Sequence, residues 1–122
     1  PVLDQWRKFM ADTGFLICES EHRVYHHTLR YAGTLDLVGY LGDEVAFIDV
    51  KRSFIAGSVT GIQLSAYREA YYSQGKASKR AKRYALRLNE SGPYRLEPFT
   101  DESQFQDFLT LLAYHRVKEK YA

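Results

Sequence analysis

A β-hairpin centred on the Gly42-Asp43 dipeptide is the feature that most constrains the fold of this chain. Two strand-like runs, 31–40 and 44–51, lie on either side of it. Glycine followed by a second residue is the signature of a two-residue type II′ turn between antiparallel strands. In such a turn Leu41 pairs with Glu44, and this pair fixes the register along both strands. The two runs are therefore predicted to be neighbouring antiparallel strands.

The predicted register brings two acidic side chains together. Asp36 falls opposite Asp49, and Thr34 falls opposite Lys51 on the same face, because side chains alternate along a strand. The other face is apolar, with the pairs Leu37–Ile48, Leu35–Val50 and Gly39–Ala46. Directly opposed carboxylates lie about 5 Å apart at Cβ and destabilise a sheet unless solvent, a proton or a cation compensates.

A hard divalent cation is the favoured way to offset the repulsion between the two aspartates, since Mg²⁺ and Mn²⁺ prefer oxygen ligands. The alternative is two solvated aspartates on a wet face, which the apolar neighbours Val38 and Phe47 make less favourable. Lys51 lies two residues beyond Asp49 on the same face, so its ammonium can reach a bound phosphate and an attacking water. Its alternative role is that of a simple charge partner.

Glu21 is a candidate third acid of this cluster. If residues 27–30 form a symmetrical four-residue loop, Glu21 falls opposite Asp36 and three carboxylates lie in a row across three strands. A bulge in the first of these strands would place Glu19 there instead, or neither acid.

The remaining periodicity completes the order α-β-β-β-α-β-β-α. It predicts a helix over 3–11 before Gly14, a strand over 15–26, a loop over 53–60 and a helix over 62–74. Strands over 83–88 and 94–99 follow. A last helix carries an apolar stripe of Phe105, Phe108, Leu109 and Leu112. Asp101 is the predicted cap of that last helix. The length of 122 residues fits one domain, 1–122. An apolar helix face that starts at residue 3 is compatible with a chain trimmed at its N-terminus.

Composition excludes several classes of protein. Hydrophobic residues make up 45% and charged residues 26%, which is ordinary for a globular domain. The lone Cys18 excludes a disulfide framework and a four-cysteine zinc or iron–sulfur site within the chain. No run is long and apolar enough to span a membrane and no signal-like segment opens the chain. We therefore expect a soluble cytoplasmic protein.

The charge distribution indicates a contact with a polyanion. The formal net charge is only +2, but the segment 70–89 holds six basic residues and no acid: Lys76, Lys79, Arg80, Lys82, Arg83 and Arg87. The alternative is a solvated, lysine-rich turn.

Three segments, in order, resemble the motifs of a known enzyme superfamily. Gly33-Thr34-Leu35-Asp36, then Ile48-Asp49-Val50-Lys51, then the helical Gln63-Leu64-Ser65-Ala66-Tyr67 look like the GxxD, (D/E)xK and QxxxY motifs of the PD-(D/E)xK nucleases, in particular their RecB-type and phage exonuclease branch. The resemblance covers roughly 19–72. Leu35 stands where the superfamily has its naming proline, and no histidine precedes His22, so the upstream histidine of many RecB-type members has no counterpart here.

The resemblance implies an α/β (α+β) fold of the restriction-endonuclease type: an αβββαβ core with a mixed sheet flanked by helices, here with an extra strand and a C-terminal helix. It implies that Asp36, Asp49 and the Val50 carbonyl, with Glu21 as the further candidate, hold Mg²⁺ or Mn²⁺, and that Lys51 orients or activates the water. Gln63 and Tyr67 would support the site or contact the nucleic-acid backbone, although a helix that simply packs on the sheet would place them similarly. Phosphates of the substrate would be neutralised by Arg52, Lys76, Lys79, Arg80, Lys82 and Arg83.

The function implied is that of a metal-dependent deoxyribonuclease, an exonuclease of DNA recombination, repair or phage DNA processing in a bacterial or phage-infected cell. DNA is the expected partner, with no membrane and no iron–sulfur cluster. An oligomer or a protein partner is expected to supply processivity, because the chain lacks insertions that could enclose a strand end. A catalytically inactive nucleic-acid-binding module on the same fold is the alternative. A metal-dependent enzyme of small acidic metabolites is less favoured, since no phosphate-cradling glycine loop is visible.

Overall fold

The element order of the chain is the predicted one. In the computed structural model, which describes residues 2–52, 58–75, 81–89 and 92–122, the elements are α1 (Val2–Thr13), β1 (Leu16–His26), β2 (Tyr31–Leu41), β3 (Glu44–Lys51), α2 (Ser58–Ser73), β4 (Lys82–Arg87), β5 (Arg95–Phe99) and α3 (Gln104–Lys120). Part of the predicted loop, 53–57, lies outside the described residues. In the described part of the chain, no helix has the length and apolarity needed to cross a bilayer.

The strands form one mixed sheet in the order β1-β2-β3-β4-β5. The pair β3–β4 is parallel, and α2 lies between these two strands in the chain, whereas the other three pairs are antiparallel. A parallel pair needs such a crossover, because its strands run in the same direction. The fold is therefore α+β, and the predicted αβββαβ core with one extra strand and a closing helix is confirmed.

The two predicted turns set the register of the first three strands. Gly42 has a φ of 62°, as a turn with glycine at its first central position requires. Leu41 pairs with Glu44, and the pairing continues to Leu37 and Ile48 as predicted. On the other side, His26 pairs with Tyr31 across a four-residue turn. A bulge between Ile17 and Glu19 shifts the register only at the far end of this pair.

Beyond Leu37 the structure corrects the predicted register. The β2–β3 pairing ends at Leu37 and Ile48, so the expected backbone pairs Asp36–Asp49, Leu35–Val50 and Thr34–Lys51 do not form. The alternation of β2 also breaks at this point, because Leu35 packs in one core cluster and Leu37 in the other. Strand β2 therefore separates from β3 at Asp36.

Both faces of the sheet are apolar and covered. One cluster lies between the sheet and α2 and includes Leu35, Val38, Phe47, Leu64 and Ala70, with Phe108 of α3 at its edge. The second lies under α1, and its buried members are Phe9, Phe15, Leu37, Ala46, Ile48, Leu86 and Leu88. Val38 and Phe47, the apolar neighbours of the aspartates in the predicted hairpin, are thus buried under α2 and do not lie on a wet face.

Helix α3 begins slightly later than its predicted cap implies. The Asp101 carboxylate accepts hydrogen bonds from the backbone N–H (2.9 Å) and the hydroxyl (2.6 Å) of Ser103, and Ser103 is the N-cap residue. Asp101 thus closes the turn that precedes the helix. The predicted apolar stripe is half-buried, and its Phe108 ring lies 4.7 Å from the Tyr31 ring, centroid to centroid.

Candidate active site

The separation of β2 from β3 creates a gap in which Asp36 replaces backbone pairing. The Val50 N–H donates a hydrogen bond of 2.9 Å to Asp36 Oδ2. The next carbonyl, that of Lys51, accepts from the Leu88 N–H at 2.8 Å, on the β4 side. Since the N–H and C=O of one strand residue point to the same side, the Val50 carbonyl faces the gap together with its N–H. Asp36 and this carbonyl therefore share one opening in the sheet.

Asp49 lies at the same opening, and its charge is poorly compensated. Burial raises the pKa of Asp49, and a side-chain hydrogen bond with Asp36 raises it further, against the lowering effect of Lys51. Lys51 Nζ lies 3.1 Å from Asp49 Oδ2 in an ion pair. Among the described residues, none gives this buried oxygen a hydrogen bond of good geometry. Two carboxylates at one opening, one of them with a buried oxygen that lacks such a hydrogen bond, form a donor set that fits a divalent cation.

Tyr67 of α2 is matched to Gly33 of β2. A Cβ atom at Gly33 would lie 2.0 Å from Tyr67 Cε1, so only glycine leaves room for the ring. Burial raises the pKa of the Tyr67 hydroxyl, and the negative charges of Asp49 and Asp36 raise it further. The first and third motifs of the sequence therefore meet in space, and the ring that joins them lies in the field of both carboxylates. Gln63, one turn earlier on α2, is exposed.

Glu21 lies beside Asp36 but does not complete a cluster of three acids. It is exposed, has a φ of 49°, and occupies the position in β1 between the pairs Ser20–Leu37 and His22–Leu35. A pocket of about 300 Å³ contains both acids, and its lining residues are Trp6, Ser20, Glu21, Asp36, Leu37 and Val50. In the part of the chain that the structure describes, no three His, Cys, Asp or Glu side chains are placed to hold a metal ion. The metal-binding role of Glu21 stays a prediction.

The predicted contact of Arg83 with nucleic acid is wrong. The Arg83 side chain is 0% exposed. It donates hydrogen bonds to Gly61 O (2.9 Å), Gln104 Oε1 (2.8 Å) and Asp101 O (2.9 Å), and it pairs with Glu102 at 3.2 Å. Such a guanidinium joins α2, β4 and the start of α3, and it is not available to a phosphate. This burial could not be predicted from the sequence, because a run of basic residues looks the same whether each one is exposed or buried.

The other predicted phosphate contacts divide into two groups. Arg52 and Lys82 are exposed, and Lys82 lies 3.8 Å from Glu44 in a weak surface ion pair. Lys76, Lys79 and Arg80 lie outside the described residues.

Sequence reasoning missed a second polar group under α2. The Tyr71 hydroxyl donates to Glu19 Oε2 at 3.1 Å, and His22 Nδ1 lies 3.4 Å from the same oxygen. Glu19 and His22 share a face although they are three positions apart in β1, since the left-handed backbone of Glu21 breaks the alternation. Trp6 was also missed as a site residue, because its spacing with Met10 identified it only as part of an apolar helix face.

Among known proteins, similarity to this chain is found in solved structures. No family model matches the chain, and no curated protein matches it. Among solved structures, the chain is similar to an alkaline exonuclease (LHK-Exo) from Laribacter hongkongensis, with 17% sequence identity and a TM-score of 0.41, over 98% of this chain and 71% of that chain. A proposal for the function of this chain therefore rests on its own residues.

Proposed function

We propose that this chain is a metal-dependent nuclease that hydrolyses DNA phosphodiester bonds, with Mg²⁺ or Mn²⁺ as its cation. The observation that carries the proposal is the placement of Asp36 and Asp49 at one gap in the sheet, where Asp36 Oδ2 accepts from the Val50 N–H at 2.9 Å and Lys51 Nζ lies 3.1 Å from Asp49 Oδ2. A divalent cation between the carboxylates would offset both their repulsion and the burial of Asp49. The motif resemblance supports the same assignment.

Each residue of the site has a separate role in the proposed reaction. Asp36, Asp49 and the Val50 carbonyl would hold the cation, which lowers the pKa of a bound water and polarises the scissile phosphate. Lys51 places a positive charge where the attacked phosphate gains negative charge, and it orients the water through an N–H donor. The Tyr67 hydroxyl, whose pKa is raised, is protonated at neutral pH and can donate a hydrogen bond to a phosphate oxygen.

DNA is the substrate that the surrounding surface supports. Arg52 and Lys82 are exposed cations on the described surface, and the sequence adds Lys76, Lys79 and Arg80. Contacts of this kind are independent of base sequence and weaken as salt rises. Exonuclease action in recombination, repair or phage DNA processing is the finer form of the proposal, and it is supported by the motif resemblance alone.

The decisive experiment is cleavage of end-labelled linear DNA and of closed circular DNA with Mg²⁺, Mn²⁺ or EDTA. We expect cleavage with either metal, none with EDTA, and preference for the linear substrate. Asp49→Asn and Lys51→Met should each reduce kcat by at least about 10²-fold, since each removes a group that acts on developing charge.

Two matched variants control for the loss of one acid and one lysine. Asp43→Asn changes an exposed acid of the hairpin turn, and Lys8→Met breaks a surface ion pair of 3.3 Å with Asp12. Both should retain the wild-type kcat. A wild-type protein that binds DNA but cleaves none under any of these conditions would contradict the nuclease proposal and support an inactive binding module.

A further inference from the structure

The pocket beside Asp36 has a lining of two chemical kinds. Three of its lining residues are apolar, Trp6, Leu37 and Val50, and three are polar, Ser20, Glu21 and Asp36. Trp6 is half-buried, and its inner side packs on Phe9 with ring centroids 5.8 Å apart. The indole is thus a supported aromatic surface that borders an open pocket, and two of the proposed metal ligands, Asp36 and Val50, also line this pocket.

We propose that this pocket takes the base of a single unpaired nucleotide at the end of the substrate strand, stacked on Trp6. This inference rests on the proposed nuclease function, since it requires the phosphate of that nucleotide to lie at Asp36 and Asp49. It goes beyond that function by naming the form of the substrate and the residue that recognises it.

Charge decides which part of a nucleotide enters the pocket. Asp36, at one side of it, is a proposed cation ligand, whereas the Glu21 carboxylate, which also lines it, repels a second phosphate. A base is uncharged, has an apolar face for the indole, and carries polar edges that suit Ser20 and Glu21. The phosphate therefore lies at the mouth, at the aspartate pair, and the base points inward.

Size decides how much of the DNA enters. The volume of about 300 Å³ stands at the lower end of the roughly 300–1,000 Å³ typical of small-molecule pockets. One nucleoside fits within it, and a base that enters it must leave its pair. A strand end that has unpaired, or a single-stranded end, is therefore the substrate form that fits, and stacking on an aromatic side chain is tolerant of base identity.

Fluorescence provides a test on the unmodified protein, because Trp6 is the one tryptophan of the chain. The probe is a short single strand with phosphorothioate linkages, which resist hydrolysis, added in the presence of Mg²⁺. We expect it to quench the tryptophan emission. The same strand with an abasic residue at each end should bind without this quenching.

A cycle of two changes tests whether Trp6 and the terminal base act on each other. Trp6→Leu should raise KM by about 5- to 150-fold, the range expected for loss of one base–aromatic stack, and leave kcat near the wild-type value. An abasic end should raise KM by a similar factor with the wild-type protein and add little with Trp6→Leu. Trp6→Phe should restore most of the loss, and Tyr114→Leu, which changes an aromatic residue 62% exposed on α3, should change nothing.

The outcomes separate this inference from the proposed function. The stacking inference would be overturned if Trp6→Leu cleaves DNA with an unchanged KM. It would also be overturned if the KM increases caused by Trp6→Leu and by the abasic end multiply as independent factors. Either result would leave the nuclease proposal intact. Quenching without cleavage would overturn the nuclease proposal and keep the nucleotide as the ligand of the pocket. If Trp6→Leu fails to fold, the quenching and abasic measurements on the wild-type protein decide.

Discussion

Replacing Gly33 by alanine should displace the Tyr67 ring from the candidate active site. The added Cβ would lie 2.0 Å from Tyr67 Cε1 and 2.6 Å from Cδ1 and Cζ. Ordinary contact begins at 3.4 Å, so the ring must move by 1.4 Å, the difference between 3.4 and 2.0 Å. Overpacking of this kind costs about 1–3 kcal/mol. The φ of Gly33 is not in the left-handed region, so the backbone itself accepts alanine.

The Tyr67 ring should be the whole source of the cost. Urea unfolding at pH 7 in EDTA should show a loss of about 1–2 kcal/mol for Gly33→Ala, because alanine also returns part of the cost by restricting the unfolded chain. In a Tyr67→Ala background the same change should be neutral or stabilising by about 0.4–1 kcal/mol. Cleavage should fall by about 10²-fold in Gly33→Ala alone, the effect expected when a supporting group shifts by about 1 Å.

The steric match between Gly33 and Tyr67 is tested by comparing the stability cost of Gly33→Ala in different Tyr67 backgrounds. An equal loss of stability in the Tyr67→Ala and wild-type backgrounds would refute the steric match between Gly33 and Tyr67. Tyr67→Phe is the matched control, since it keeps the ring and removes only the hydroxyl. Gly33→Ala should cost as much in that background as in the wild type.

Three further changes test the charges and hydrogen bonds of the described residues. Because the pKa of Asp49 is raised in the folded state, the metal-free protein should lose stability as pH rises from the ordinary pKa of an aspartate through that raised pKa. Asp49→Asn should remove this decline and be more stable than the wild type at pH 7. Urea unfolding from pH 4 to 8 in EDTA measures both effects. Arg83→Met removes the donor to Gly61, Gln104 and Asp101 and should cost about 3 kcal/mol or more; a cost below about 1 kcal/mol would show that the buried guanidinium contributes little. Tyr31→Phe removes the buried 2.7 Å hydrogen bond to the Ala66 carbonyl and should lower the free energy of unfolding by about 1–2 kcal/mol, with no change in the far-UV circular dichroism spectrum.

The hairpin shows why much of this fold could be predicted from the sequence. The turn at Gly42 depends on local backbone chemistry, and its φ of 62° is what the Gly-Asp pair predicted. From that turn the register follows by counting, and it is correct as far as Leu37 and Ile48. The same holds for α1, which ends before Gly14 at a φ of 63°. Each of these features is fixed by residues that are neighbours in the chain.

Features that depend on three-dimensional packing could not be predicted in the same way. Counting from the hairpin assumes a regular ladder, and it fails at Asp36 because α2 and α1 draw Leu35 and Leu37 to opposite faces. The burial of Arg83 depends on acceptors in α2 and in the turn before α3, which are distant in the chain. The motif containing Gln63 and Tyr67 predicted that α2 lies near the acids, but only the structure relates the Tyr67 ring to Gly33.

The break in register that counting missed is also what gives the acidic pair its chemistry. If β2 had continued beside β3, the Val50 N–H would bond to a backbone carbonyl, and the Asp36 carboxylate would stand on one face of a closed sheet. Because the strands part instead, Asp36 Oδ2 accepts a hydrogen bond from that N–H at 2.9 Å. The Asp36 charge raises the pKa of Tyr67 on the α2 side, and Asp36 also lines the pocket that contains Trp6. A regular ladder would separate these two sides by the thickness of the sheet. The opening therefore places the proposed metal ligands within reach of a phosphate while the attached base enters from the α1 side.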